Sequence, residues 1–377
     1  MIFIIITLLL YVILNFYVGK KILLWMSIIF PKINKNIFWI VYILCALCIF
    51  IGNAAPRFKL TKIVKIISGY YMGTFVYLLM IFIVLDIIRI IFRNTKLFKE
   101  KILNNPKVLI ISGAVIFGMV FALILYGNYN AKNIQIVNYD VTISRKQKVN
   151  KELNIVMVSD IHIGDIIAYK EIEEISEKIN KLKPDIILIS GDVFDGDYYA
   201  VEDIEKIESA FKKLNSKYGT YAALGNHDAG SSFEKMIGFF QKADIKLLQD
   251  EFIDIEDEFT VVGRKDFSPI GEQGNKRKDI NSVLKNVDSD KPIIMLDHQP
   301  SNINEAADNN IDLLLCGHTH KGQLFPGNLI TNSIFLNDYG YLKVKNTNII
   351  VSSGVGTWGP RMRIGSKSEI VNIKLKY

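Results

Sequence analysis

The chain has five histidines in 377 residues, and each of them follows a short apolar run. "VSDIH" carries Asp160 and His162, "ISGDVFDG" carries Asp192 and Asp195, and "ALGNHD" carries Asn226, His227 and Asp228. "MLDHQP" carries His298, and "LCGHTH" carries His318 and His320. A lone histidine is usually structural. Five at equivalent places, beside carboxylates and a carboxamide, make a set of borderline nitrogen and oxygen donors. Such donors suit Mn²⁺, Zn²⁺, Fe or Co²⁺ better than Ca²⁺ or Cu(I). They are too many for one tetrahedral ion and fit two divalent metal ions. Two cations about 3.5–4 Å apart can share a carboxylate and a hydroxide, clamping the attacking and leaving oxygens of a phosphoryl displacement.

These residues need elements that bring them together. Short apolar runs read as strands in "LNIVMVSD", "DIILISGD" and "TYAALGNHD", and helical patterns fall between them near 170–182, 201–215 and 231–242. Further strands are expected at 259–264, 291–298, 312–318, 348–354 and 369–377, with a loop over 266–290 that holds one helix in its second half. The rhythm indicates an α/β domain with parallel sheet. Open α/β sheets place ligands beyond the carboxyl ends of their strands, which is where all five histidines lie. Glycine precedes Asp192, Asn226 and His318, so the backbone can turn sharply and approach a cation closely.

The first third of the chain is different. Four apolar stretches, over 2–18, 37–52, 66–91 and 108–126, are each near the ~20 residues that span a hydrocarbon layer. The first lacks a basic leader and reads as an uncleaved helix rather than a signal peptide. Asp86 and Arg89 are spaced to meet on one face of the third stretch, with snorkelling as the simpler account. The net charge of +7 is uneven: residues 1–132 hold fifteen Lys/Arg against Asp86 and Glu100, and the remainder is mildly acidic. That balance excludes a nucleic-acid groove in the second part, because neutralising phosphates needs clustered cations. Placing the first and third connections on the cytoplasmic side puts nine basic residues inside and four outside. Both ends, and the domain after residue 126, then lie outside the cell membrane. Cys45, Cys48 and Cys316 make no disulfide framework, and Cys316 reads as a small buried residue rather than a nucleophile.

The ordered series D-x-H (160–162), G-D-x-x-D-G (191–196), G-N-H-D (225–228), His298 and G-H-T-H (317–320) resembles the calcineurin-like metallophosphoesterases over about residues 150–377. "VSSGVGTWGPRMRIG" and Gln323 resemble its membrane-anchored bacterial branch, from whose G-H-T-H-G-G-Q block this chain departs at Lys321. The resemblance implies a layered α/β/β/α sandwich behind an all-α transmembrane region. Residues 1–130 would form four transmembrane helices, 131–152 a linker and edge strand, and 153–377 the metallophosphoesterase domain. It also implies that Asp160, His162, Asp192 and His320 hold one metal, and that Asp192 bridges to a second held by Asn226, His298 and His318. His227 would protonate the leaving oxygen, oriented by Asp195 or by Asp228. In the segment "GTWGPRMR", Trp358 is expected in the core, with Arg361 or Arg363 on a substrate phosphate.

The expected function is a membrane-anchored phosphoesterase whose bridging hydroxide cleaves a phosphate ester or pyrophosphate bond. The substrate would be a phosphorylated small molecule or a lipid-linked one. A catalytically weak membrane sensor or scaffold is the alternative, but such degeneration should remove ligands and the series lacks none. A transporter ranks last, with only the Asp86–Arg89 pair inside the apolar stretches.

Overall fold

The computed structural model describes residues 2–54, 59–95, 105–143, 151–268 and 276–377. They form two compact units, Met1–Asn128 with Gly359–Arg361, and Tyr129–Trp358 with Met362–Tyr377.

The first unit is helical, with α1 (Ile2–Ile29), α2 (Lys35–Ala54), α3 (Lys59–Thr95) and most of α4 (Pro106–Lys132). Among the described residues, three helices are long and apolar enough to cross a membrane, over Ile4–Ile29, Thr61–Thr95 and Pro106–Lys132, while Lys35–Ile51 is a shorter apolar helix. The helices overrun the apolar stretches because lysine and asparagine, though polar, do not break a helix. The polar residues after Tyr126 therefore form the last turn and a half of α4. Asp86 is also held from another helix: Tyr17 donates to Oδ2 at 2.7 Å and Lys21 to Oδ1 at 2.5 Å, both from α1.

The second unit has two six-stranded sheets. Strand β1 (Gln135–Thr142) is the edge of the first, which runs on through β12 (Glu369–Lys376), β2 (Glu152–Val158), β3 (Ile186–Ser190), β4 (Thr220–Ala223) and β5 (Ile245–Leu247). The second sheet runs β10 (Gly340–Val344), β11 (Thr347–Val351), β9 (Leu313–Cys316), β8 (Ile293–Leu296), β7 (Phe259–Gly263) and β6 (Glu251–Ile255). Strands β2 to β5 are parallel, as are β7, β8, β9 and β11. Period-two alternation divides each strand between two cores. Ile155 and Met157 of β2 face Leu313 and Leu315 of β9 between the sheets. Val156 and Val158 turn outward to α5 (Tyr169–Lys181), α6 (Ile204–Lys212) and α7 (Phe233–Lys242). Buried Ile172, Ile175 and Ile179 give α5 its apolar stripe at i, i+3 and i+7. On the far side, Met295, Leu314 and Cys316 pack with α8 (Ile280–Leu284) and α9 (Ile303–Asp308). The architecture is α/β/β/α, and the parallel strands of both sheets end on the same side.

Candidate metal centre

Asp160 and His162 follow β2, Asp192 and Asp195 follow β3, and Asn226 and His227 follow β4; His298 follows β8, and His318 and His320 follow β9. Five of these residues hold left-handed backbone: Asp160, His162, Asp192, His318 and His320 have φ between 49° and 73°. Each such conformation costs a side-chain-bearing residue roughly 1 kcal/mol or more, and such strain clusters at functional sites. Two glycines make the close approach feasible. A Cβ on Gly317 would lie 2.3 Å from Asp160 Oδ2, and one on Gly191, at φ +79°, would lie 2.6 Å from the His298 ring.

The side chains converge on three overlapping groups: Asp160, His162 and His320; His162, Asp192 and His227; and Asp192, His298 and His318, each with its donor atoms within 4.8 Å of one another. His320 Nε2 is 3.3 Å from Asp160 Oδ1 and 3.1 Å from His162 Nε2. His298 Nε2 is 3.1 Å from Asp192 Oδ2, and His318 Nδ1 meets Asn226 Oδ1 at 2.8 Å. Backbone amides hold the carboxylates: His227 N donates to Asp192 Oδ1, and His318 N to Asp160.

These donors fit a cation. His298 Nδ1 lies 2.7 Å from Ser190 O, so its proton is there. A neutral ring would then aim its Nε2 lone pair at Asp192. Two electron-rich atoms 3.1 Å apart need a proton or a metal between them. Without metal a proton serves. Burial alone would lower the His298 pKa, but the Asp192 carboxylate raises it well above the ordinary value. Burial pushes Asp192 up, but the charge and hydrogen bond of His298 together with the His162 charge hold it at about 2. His320 goes the other way, to about 4, chiefly through burial.

His227 is the open member of the cluster, about one-third exposed where its four fellow histidines are mostly or wholly buried. Its Nδ1 lies 3.6 Å from Asp195 Oδ1, and the same oxygen is 3.3 Å from His162 Nδ1. Asp228 neither faces His227 nor caps α7. It is fully buried, accepting from the amides of Val193, Phe194 and Gly225 at 2.8–3.2 Å, and so ties the loop after β3 to the loop after β4. Burial, with the Asp192 charge, raises its pKa to about 7.

The arginines differ in place. Arg361 is half-buried. Arg363 is completely buried, donating to Ser353 O and Gly356 O at 2.6 and 2.7 Å, with Nη2 3.2 Å from His320 Nδ1. It braces the backbone behind His320, a role its sequence spacing did not signal. Trp358, expected in the core, is half-exposed, although its backbone N and O both pair with the side chain of buried Gln323.

A two-sheet sandwich with carboxylates and imidazoles gathered at its strand ends is the architecture of a metallophosphoesterase. The chain belongs to the calcineurin-like phosphoesterase family, whose model matches residues 153–322. An uncharacterised metallophosphoesterase of Aquifex aeolicus is 32% identical over 263 residues, 68% of this chain and 98% of that protein. One from Helicobacter pylori J99 is 34% identical over 237 residues, 60% of this chain and 61% of the relative, so the match spans about three-fifths of that relative's length. Similarity to an uncharacterised metallophosphoesterase of Campylobacter jejuni, 27% over 380 residues, covers 100% of this chain and 98% of the relative.

Proposed function

We propose that this chain is a membrane-anchored, two-metal phosphoesterase that hydrolyses a phosphate ester or pyrophosphate bond. The substrate is a phosphorylated small molecule or a lipid-linked one. The observation that carries this reading is the overlap of the donor groups: Asp192 stands in two of the three, next to His298 on one side and His162 on the other. Asp160, His162, Asp192 and His320 would hold one divalent ion, and Asp192, Asn226, His298 and His318 the second. Manganese, zinc, iron and cobalt all suit these donors. When bound, the pair supplies an activated nucleophile and neutralises phosphate charge.

The remaining steps belong to the chain's own groups. Backbone amides fix both carboxylates, so little reorganisation accompanies reaction. Asp195 Oδ1 orients His227 through Nδ1, leaving Nε2 to give its proton to the departing oxygen. The membrane-length helices supply the anchor, spanning 1–130 ahead of a linker with an edge strand (131–152) and the catalytic domain (153–377). With the shorter α2 crossing as well as the three longer helices, the distribution of lysine and arginine favours a multi-pass arrangement with the domain outside. Arg361 remains a candidate contact for a substrate phosphate, whereas the burial of Arg363 favours a bracing role.

Turnover of bis-p-nitrophenyl phosphate by the full chain with Mn²⁺ tests this. Asp192→Ala should abolish turnover. His227→Asn should lower kcat by about 10²–10⁴-fold with metal content unchanged. Wild-type activity indistinguishable from Asp192→Ala would sink the reading.

A further inference from the structure

The segment after the histidine pair, "GQLFPGNLITNSIFLN" (322–337), has no charged residue. It contains a helix, α10 (Gly327–Ile334), none of whose residues is buried. At 100° per residue, Leu329, Ile330 and Ile334 share one arc and Asn328, Thr331 and Asn332 the opposite one. The polar arc is the one turned to the protein: Thr331 Oγ1 donates to Asp338 Oδ2 at 2.7 Å, Asn332 Nδ2 reaches Oδ1 at 3.4 Å, and Asn328 Oδ1 is buried. The apolar arc faces outward. Leu329, Ile330 and Ile334 are 59–66% exposed, and Leu336, Phe325 and Trp358 extend the exposed apolar surface along the segment. This is the reverse of a helix docked on a soluble core, whose apolar stripe faces inward, and exposed apolar patches of this kind mark interaction sites.

We propose that this face seats the catalytic domain on the lipid bilayer, with Leu329, Ile330, Ile334 and Leu336 in the acyl boundary and Trp358 at the headgroup level. The same chain has three helices of membrane-spanning length, and α4 continues without a break into the domain at Tyr129. The domain is therefore tethered near a bilayer, where even a modest apolar patch is effective because its docking is intramolecular. Tryptophan favours the interface, and Lys321 flanks the uncharged run with its ammonium 4.0 Å from the Tyr339 ring centroid. The patch is joined to the metal centre. Thr319, between His318 and His320, donates to Asp338 O at 2.6 Å, and the Phe335 ring lies 6.0 Å from the His318 ring. A domain seated this way presents its metal centre to phosphates at the lipid surface, which deepens the phosphoesterase reading toward amphiphilic substrates and rests on it for that consequence alone.

The test uses the full chain in nanodiscs with Cys45→Ser and Cys48→Ser, and an environment-sensitive fluorophore on Ile334→Cys or, as control, on exposed Tyr199→Cys. The label at 334 should shift to the blue and be quenched by doxyl-labelled lipid, and the label at 199 should do neither. Adding Leu329→Asp and Ile330→Asp should remove the quenching at 334 while turnover of soluble bis-p-nitrophenyl phosphate is unchanged. A label at 334 that reports water and escapes lipid quenching overturns the inference. So does a blue shift without lipid quenching that grows with protein concentration, which would assign the face to a second copy. Absence of turnover by wild type with quenching intact would strike the hydrolytic reading and leave the bilayer seat standing.

Discussion

At the residue scale, the cluster is a set of charges that exist in this form only until a cation arrives. His298 has its pKa raised well above the ordinary value, with burial opposed and outweighed by Asp192, and His162 is raised in the same sense by Asp195 and Asp192. A histidine whose folded value is raised contributes stability that is full below its unfolded value near ~6.5 and is lost as pH rises through the folded value. The metal-free protein should therefore weaken above neutral pH. A divalent ion must displace these protons, so Mn²⁺ affinity should rise by about tenfold per pH unit for each proton released between pH 6 and 8. Calorimetric titrations in buffers of different ionisation enthalpy would count at least one proton released per chain at pH 7. Binding with no proton release would contradict the charge state assigned to His298. The candidate ligands were legible because each follows a strand and stands in a recognisable block. Asp228 and Arg363 were picked out too, but not their bracing roles, since their partners are backbone groups of distant loops that leave no periodic trace in the sequence.

At the element scale, the strands carry the site and the loops aim it. Most strands were legible from their β-branched runs. The short β5, β6 and β10 and the helices α9 and α10 were not, being too brief or too polar to show a period. The apolar residues of α10 face outward, so its pattern gains meaning only against what the helix touches. The loop glycines were expected to allow close approach, and two substitutions separate that role from glycine's general cost. Gly317→Ala would press a methyl against Asp160 Oδ2 at 2.3 Å. It should cost about 1–3 kcal/mol of stability and about 10–100-fold in activity. Gly238 lies in α7, and a methyl added there would meet nothing within 4 Å, so Gly238→Ala should stabilise by up to about 1 kcal/mol. Thermal unfolding of the two variants reads the contrast directly. Equal effects would mean that the loop glycine is not there for close approach.

At the scale of the whole molecule, the site exists because two sheets end together. Asp160, Asp192 and Asn226 come from the first sheet and His298, His318 and His320 from the second. The Ser190 hydroxyl, at the end of β3, bonds Leu315 O of β9 at 3.1 Å and joins the sheets beneath the cluster. Periodicity could indicate α/β layering and polar strand ends, but not which sheet each strand joins. Assigning both sheets to one sandwich rested on the ordered blocks as a set. On the proposed reading Asp192 lies between two cations, the first held mainly from the first sheet and the second by two residues from each sheet. Electron paramagnetic resonance of the full chain titrated with Mn²⁺ tests it most directly. Two equivalents should bind, and the second should convert an isolated Mn²⁺ spectrum into the multiline signal of an exchange-coupled pair, which Asp192→Ala should lose. Binding of one equivalent only, or two that remain magnetically independent in the wild type, would contradict the account.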